Sequence, residues 1–559
     1  MKPQTAHRLA GSENTLSLAM PDQQLDKGFI DPSAPASSHA GNNVRLLLVG
    51  SSAAMLCALL VYLLLRTLHN TAVPSIGLVI LCGVVIIPFF WDAVAASIAI
   101  AGLFWKDSST KVTVQPLRVA ILVLLFDETP EPVMARAVRL LGSLKGEGVH
   151  NFSLHVLSDS RQVQSVRRER AALELALRQH GSLDLNYVHR AANADFKSGN
   201  IRNWIRSYGR SHDAMLVLDA DGMMESEDVQ AMANALSADP RCALIQSVPR
   251  VLPGHTRWQA LQSFASHVYG VNLGRGLDVM SGSAANYYGH NAIVRTKAFA
   301  DCAGLPHLSG DPPFGGVIMS HDFVEAALLR RAGWSVRFMP NVKGSFEEAP
   351  ETLTAHLARD RRWCHGCLQH LALLGVPGLA VTSRFHLLHG AMTYLCAPLW
   401  LAAVGMWTMI AGPPLSGVWL FPLLVIALVL LLPRVCGLLS SANSLTARNL
   451  AFAAQELVLS SLLAPTLMVQ RTRMILSLVA GRPSAWEKPK NHRMSLAAAT
   501  EFHAIEIGLA LVMLTVWLAG QASSLIFAAA APLLLAPLLN QAVSRRHTRQ
   551  VWSLPHDEH

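Results

Sequence analysis

Apolar residues crowd into long blocks toward both ends of the chain, while the middle is a shorter-period mixture. The blocks are Val44–Leu65, Val73–Trp105, Phe385–Ile410, Val418–Leu432, Leu450–Val479, Ile505–Ala519 and Leu525–Leu539. The first two exceed the roughly 20 apolar residues that cross a hydrocarbon layer, so the pattern predicts membrane-spanning helices. Asp92 interrupts the second block. A carboxylate is costly in lipid, which puts it against other helices or near an interface.

Between about residues 115 and 380, β-type runs alternate with helix-type stretches. Val119–Phe126 is continuously apolar, as expected of a strand buried on both faces, and the amphipathic stretch Glu131–Lys145 follows it. Phe152–Ser158 leads into Gln162–Gln179, Leu185–His189 into Gly199–Tyr208, and Ala214–Asp219 into Glu225–Leu236; Ala243–Val248 closes this half. Such alternation predicts right-handed crossovers and an α/β domain with a mostly parallel sheet. Ligands then bind at the carboxyl ends of the strands.

Charge orients the apolar blocks. Lys106, Lys111 and Arg118 follow the second, Arg384 precedes the third and Arg434 closes the fourth. Arg482, Lys488, Lys490 and Arg493 precede the sixth, and Arg545, Arg546 and Arg549 close the seventh. All fall on the cytoplasmic side if the fifth block does not cross. That block contains Glu456, Pro465, Gln470, Arg471 and Arg473, which suits an interfacial or re-entrant element. Six spans with a cytoplasmic central domain and cytoplasmic termini are expected; the alternative is seven spans with an external C-terminus. The expected organisation is a disordered N-terminal tail (1–43), two transmembrane helices (44–106), the cytoplasmic domain (107–383) and two further transmembrane helices (384–440). An interfacial segment with a basic loop (441–500), a transmembrane hairpin (501–541) and a cytoplasmic tail (542–559) complete it.

The 559 residues are 51% hydrophobic and 15% charged, with mean hydropathy +0.32, which excludes both a single water-soluble globule and a largely disordered chain. The net charge of +9 raises the question of nucleic acid. The basic residues lie beside apolar blocks or in helices of the central domain, with no Lys/Arg run and no aromatic-interleaved stripe, so the expected partner is the lipid bilayer and not nucleic acid. The eight Cys are scattered without a disulfide framework, which places the soluble part in a reducing compartment.

Polar residues just after the strands form a pattern. Asp127 and Glu128 follow the first, Asp159 the second, and Asp219-Ala220-Asp221-Gly222 the fourth. Farther on come Gly289-His290-Asn291, Ser320-His321-Asp322 opening a helix, and Arg359-Asp360-Arg361-Arg362-Trp363. No G-x-G-x-x-G or Walker phosphate cradle is present. Two aspartates one residue apart at a strand exit suit instead a hard divalent cation with oxygen ligands. Alone, that pair reads as a solvated turn; Asp159, Asp322 and Arg-x-x-Arg-Trp around it favour a site. Cys364-His365-Gly366-Cys367 has no second pair and lies in a helical stretch, so it reads as structural.

In this order of residues the chain resembles the processive family 2 glycosyltransferases, the group containing cellulose, chitin and hyaluronan synthases. Within it the likeness is greatest to the branch that builds the backbone of osmoregulated periplasmic glucans. Ser320–Leu328 through Gly333-Trp334, Gly344–Glu348, Arg359–Gly366, Lys197–Asn200 and Gly289–Ala292 carry it, and it runs from about residue 40 to 540. Relatives more often have Asn-Glu-Asp where this chain has Asp127-Glu128-Thr129, and the cellulose-synthase type has Glu where this chain has His321.

The resemblance implies a cytoplasmic GT-A domain inserted in a polytopic helical bundle of the bacterial inner membrane. It implies an inverting transfer with Asp322 as general base, and Asp219 and Asp221 holding Mg²⁺ or Mn²⁺. The UDP-sugar would be bound by Asp127, Glu128, Asp159, Lys197, Asn200, Asp219 and Arg362. The acceptor would lie along His290, Asn291, His321, Arg359 and Trp363. The implied reaction polymerises glucose from UDP-glucose onto a growing glucan, with β-1,2 linkage and export through the bundle. Acyl carrier protein and a periplasmic glucan-processing protein are implied as partners. Another family 2 synthase with a different donor or a lipid acceptor, and a UDP-glucose-sensing regulator, are the alternatives.

Overall fold

The computed structural model describes residues 17–35, 40–69, 75–107, 113–410, 420–440, 445–482 and 493–547. Lys111, Lys488, Lys490 and Arg549 of the charge argument lie outside them. Two long apolar helices come first, α1 (Ala40–His69) and α2 (Ser75–Leu103).

The central domain follows as β1 (Arg118–Leu125), α3 (Pro130–Leu144), β2 (Asn151–Ser158), α4 (Val163–Gln179), β3 (Leu185–His189), α5 (Phe196–Tyr208), β4 (Ala214–Asp219), β5 (Met223–Met224), α6 (Ser226–Ala238), β6 (Cys242–Ser247) and β7 (Arg250–Val251). It continues through α7 (Arg257–Ala265), a π-helical turn (Ser266–Gly270), α8 (Val271–Ser281), β8 (Ala292–Arg295), α9 (Thr296–Cys302), α10 (His321–Arg331), β9 (Ser335–Met339), β10 (Ser345–Glu347) and α11 (Leu353–Leu373). The expected strands and helices of its first half are present. A seven-stranded sheet runs β3-β2-β1-β4-β8-β6-β9, parallel except where β8 pairs antiparallel with β4 and β6. A three-stranded sheet, β5-β10-β7, abuts it.

The apolar run of β1 is explained by burial on both faces. Val119, Ile121, Val123 and Leu125 join one core with α3, α4 and α6, whereas Ala120 and Leu122 join the other with α5, α9 and α10. The small Ala120 face leaves room for Trp204, which is fully buried. β1 and β4 carry their polar residues only at their ends, and the site forms where those strands exit.

After the domain come α12 (Val381–Ile410), α13 (Leu420–Leu439) and α14 (Ala447–Val479), then α15 (Leu496–Phe502), α16 (Ala504–Leu518), α17 (Phe527–Leu534) and α18 (Ala536–Val543). Among the described residues five helices (α1, α2, α12, α13 and α14) are long and apolar enough to cross a membrane. The bent pairs α15–α16 (67°) and Ser524–Leu534 with α18 (55°) raise the number to seven if each is one span. The protein is a multi-pass membrane protein by these helices. Asp92 meets Trp400 Nε1 of α12 at 3.0 Å, so it faces another helix.

The domain seats on the bundle through the α7–α8 segment. A Cβ at Gly276 would lie 1.9 Å from the Ile98 carbonyl oxygen of α2, and one at Gly102 would lie 2.2 Å from that of Asn272, so both glycines are required by backbone contact. Gly437 of α13 rests similarly on Tyr269.

The fifth apolar block is one 33-residue helix, α14, whose length and composition admit a span. It packs along α12 and against α17, with Val469 beside Ala510 and Leu533, and it also touches the central domain near both ends. Phe452 packs on Phe264 at 5.1 Å and Glu456 meets Tyr269, while Ser477 Oγ and the Arg482 carbonyl accept from Arg361 of α11.

The N-terminal tail expected to be disordered is in part packed chain. Residues 17–35 run across α5, α9 and α10, with Met20 buried in the second core and Asp31 accepting from Trp334 Nε1 at 2.9 Å. Arg331 donates to the Gln24 and Lys27 carbonyls. Few apolar residues mark this stretch; its order comes from distant partners that a local pattern does not reveal.

Candidate active site

The strand ends open into one cleft. β4 ends at Asp219, and a turn closed by Gly222 N–H donating to the Asp219 carbonyl (2.9 Å) presents Asp221 beside it. Lys197, at the start of α5, forms an ion pair with Asp219. Burial alone would raise the Asp219 carboxyl, but Lys197 and His290 outweigh it and hold it below its ordinary value. Asp221 is raised, by burial and by the Asp219 charge, with His290 and Arg359 only partly opposing. Glu347, on β10, is raised by burial while His290 and Arg359 counter it in part, and it lies 3.5 Å from His290 Nε2.

Asp322 is the second residue of α10, behind Ser320 at the N-cap, so it is not the cap itself. Burial raises its carboxyl; His321 pulls it down and Glu325 pushes it up. His321 hydrogen-bonds the buried Glu325 at 2.9 Å, and that carboxylate outweighs burial to raise the imidazole above its ordinary value. At Gly289 (φ +86°) an added Cβ would lie 3.4 Å from Asp322 Oδ2 and 3.5 Å from Lys197 Nζ. The residue expected to be the base and the lysine expected at the donor therefore flank one open position.

Asp159 is held by Arg190, which bonds both its oxygens at 2.5 and 2.8 Å. The same guanidinium grips the Ala194 and Phe196 carbonyls and so fixes Asp195 and Phe196 in the left-handed region that opens α5. Asn200 is buried with its Oδ1 lacking a partner among the described residues, an orphan that a ligand would satisfy. Asp127 and Glu128 lie at the β1 exit, where Asp127 accepts from Gln162 N at 3.2 Å and Glu128 accepts from Phe126 N.

The description "Glycosyl transferase family group 2" matches residues 214–433 of this chain. Over 513 residues the chain is 35% identical to the glucans biosynthesis glucosyltransferase H of Xanthomonas euvesicatoria, covering 84% of this chain and 79% of that one. Over 445 residues it is 37% identical to the same-named protein of Vibrio cholerae serotype O1, covering 73% and 62%. The chain belongs to the glucans biosynthesis glucosyltransferase H family. It is a glycosyltransferase of glucan synthesis with a GT-A-like fold. A mannosyltransferase from Pyrobaculum calidifontis, solved with GDP-Man and Mn²⁺, is similar at 13% identity and TM-score 0.40, covering 71% of this chain and 97% of that one.

In this glucosyltransferase H relative, α11 closes the cleft. Its Gly366 abuts Ser320, where a Cβ would fall 2.2 Å from the hydroxyl, and Gln369 accepts from Met319 N at 2.8 Å while donating to the Val317 carbonyl. The motif helix thus holds the loop that presents Asp322. Trp363 is 45% exposed, with the Arg359 guanidinium 4.6 Å over its ring. Arg359 also turns its charge on Asp221 and Glu347, so it serves the carboxylate side of the cleft as well as the tryptophan. Arg362 is lowered by burial and by Arg359.

Asn291 is the expected acceptor residue that the fold uses otherwise. It is fully buried, and its amide donates to Ser345 Oγ (2.9 Å) and the Phe346 carbonyl (3.0 Å), joining the two sheets. Glu325, Glu347, Arg190 and Gln369 were not singled out from the sequence. Glu325 and Glu347 lie within stretches that carry the resemblance, but the partner of Glu347, His290, is reached only through β10, three residues long. Cys364 and Cys367 are buried free thiols in an apolar cluster, and among the described residues no group of three His, Cys, Asp or Glu side chains is placed to hold a metal.

Proposed function

We propose that the protein transfers glucose from UDP-glucose to the end of a growing glucan on the cytoplasmic face of the bacterial inner membrane, inverting the anomeric carbon. The observation that carries this reading is the approach of Asp322 and Lys197 to one position at Gly289, with Lys197 in turn paired to Asp219 of the Asp219–Asp221 turn. The acceptor hydroxyl gives its proton to the Asp322 carboxylate as its oxygen bonds to the sugar carbon. The bond from that carbon to the diphosphate breaks, and its electron pair leaves with UDP. Lys197 and Arg362 supply charge to the diphosphate side. Asp159, oriented by Arg190, and Asn200 belong to the nucleoside end, and Trp363 gives the acceptor sugar a stacking face.

The donor set fits a divalent cation: two carboxylates crowd one turn, and Asp221 is raised by burial and by the Asp219 charge. Asp219 and Asp221 would hold Mg²⁺ or Mn²⁺, which when bound supplies charge to the leaving diphosphate.

The bundle reading follows from α14. Its length is about 50 Å at ~1.5 Å per residue, and a span would carry one end about 30 Å from the other in depth. Contacts of both ends with one domain support α14 lying along the cytoplasmic bilayer surface, and α15–α18 forming the final pair. The β-1,2 linkage, export, acyl carrier protein and a periplasmic processing partner are carried over from the family.

Release of UDP by the purified protein in detergent with Mg²⁺ tests the proposal, comparing UDP-glucose, UDP-galactose, UDP-N-acetylglucosamine and UDP-glucuronate. Turnover confined to UDP-glucose is expected. Preference for another donor would overturn the glucose assignment, and UDP binding without turnover on any donor would favour a sensor.

A further inference from the structure

Outside the cleft, a cavity of about 410 Å³ lies between the start of α7 and the first half of α14. Arg257 and Leu261, one turn apart, form one wall, and Phe452, Gln455, Val458 and Leu459 form the other. Leu450, Ala454 and Val458 recur every four residues and make an exposed apolar stripe on α14; Leu450 is 45% and Val458 58% exposed. On the buried side of this first half of the helix Glu456 is already matched, taking two bonds from Arg434 at 3.0 and 3.1 Å. The cavity therefore opens between an apolar stripe and an exposed cation. Arg257 forms no ion pair among the described residues.

We propose that this cavity binds one anionic glycerophospholipid, with its phosphate on Arg257 and Gln455 and an acyl chain along Leu261, Phe452 and Val458. The proposal rests on the reading that α14 lies along the bilayer surface. Charge complementarity selects the ligand: a guanidinium presents a planar donor fork to a phosphate, and the apolar walls beside it suit a hydrocarbon chain in place of a free anion. Such a lipid would bridge the catalytic domain and α14 at the height of the headgroups, where anionic lipids of the cytoplasmic leaflet are drawn to basic side chains.

The full chain, delipidated in mild detergent and titrated with dioleoylphosphatidylglycerol or dioleoylphosphatidylcholine, is followed by native mass spectrometry. One phosphatidylglycerol adduct saturating ahead of the rest is expected. Arg257→Gln and Val458→Asp should each weaken it about tenfold, while UDP release in detergent stays at the wild-type level. Equal capture of phosphatidylcholine, or adducts unchanged in both variants, would overturn the site. Tighter capture by a chain ending at residue 547 would assign the cavity to residues 548–559 and also overturn it. The underlying reading is separated by Leu445→Cys and Gly481→Cys in a background without reactive native thiols: an impermeant thiol reagent should label both from the same side of sealed vesicles. Labelling from opposite sides would make α14 a span and remove the basis of the proposal whatever the lipid data.

Discussion

Two carboxylates in the cleft, Asp221 and Asp322, and those at the foot of the helical bundle meet opposite treatment. At the bundle, Asp360 receives Arg471 at 3.0 Å and the Tyr394 hydroxyl at 2.7 Å, and Glu456 receives both arms of Arg434. Each charge there is met by a fixed partner on another helix. In the cleft, Asp221 and Asp322 form no ion pair among the described residues, and Asp221 is crowded by Asp219. Negative charge left unmatched in a half-buried cleft costs free energy until a cation or a positively charged reacting group arrives. Matched pairs at the bundle hold the architecture; in the cleft Asp159 and Asp219 are paired with Arg190 and Lys197, while Asp221 and Asp322 are left for the arriving cation and hydroxyl.

The comparison breaks most readily at Asp322. Asp322→Asn keeps the shape but removes the proton acceptor, and UDP release should fall about a thousandfold while UDP affinity measured by calorimetry changes little. A loss of less than tenfold would move the base elsewhere. Asp221→Asn comes next, with turnover down about a hundredfold and not restored by excess Mn²⁺. The cation-free variant should melt above the wild type, since the repulsion with Asp219 is gone, and the rise in melting temperature on adding Mn²⁺ should disappear.

At the bundle the readout reverses. Asp360→Ala strands Arg471 and should cost about 3 kcal/mol of stability, seen as earlier melting with a smaller loss of turnover per folded molecule. Adding Arg471→Met should recover much of the melting temperature, because the stranded charge is then removed too. Were turnover lost with melting unchanged, Asp360 would belong with the working groups.

The smallest effect sharpens the cleft side through pH. Transfer needs Asp322 ionised, and its raised value places the acid limb of the rate above the ordinary 3.8. Protonated His321 supports that ionised form; the support is present below the raised imidazole value and lost as pH rises through it. Glu325 raises both groups. Glu325→Gln should therefore shift the acid limb of the pH–rate profile to lower pH, with less than a tenfold change at the optimum. An unmoved profile would leave Glu325 as packing alone.

Much of the donor half was legible because its elements are long and its polar residues stand where parallel strands end. Asp159, Lys197, Asp219 and Asp221 follow strands of five to eight residues whose apolar runs announce them. The acceptor half was less so. β8 and β10 have four and three residues, too short to show a period, and Asn291 looked free for a sugar only because its bonds to β10 lie 54 residues away.

Local chemistry by itself determined the membrane blocks, the two-faced burial of β1 and the aspartate pair at the exit of β4. Hydrocarbon thickness, alternation of side chains along a strand and the rarity of acids at a buried strand end are properties of neighbouring residues. Tertiary structure alone decided that residues 17–35 pack on the domain, that Gly366 and Gln369 hold the loop before Asp322, and that α14 meets the domain near both ends. Those outcomes depend on partners tens to hundreds of residues distant, and a backbone contact such as Gly276 on Ile98 exists only once both helices are in place.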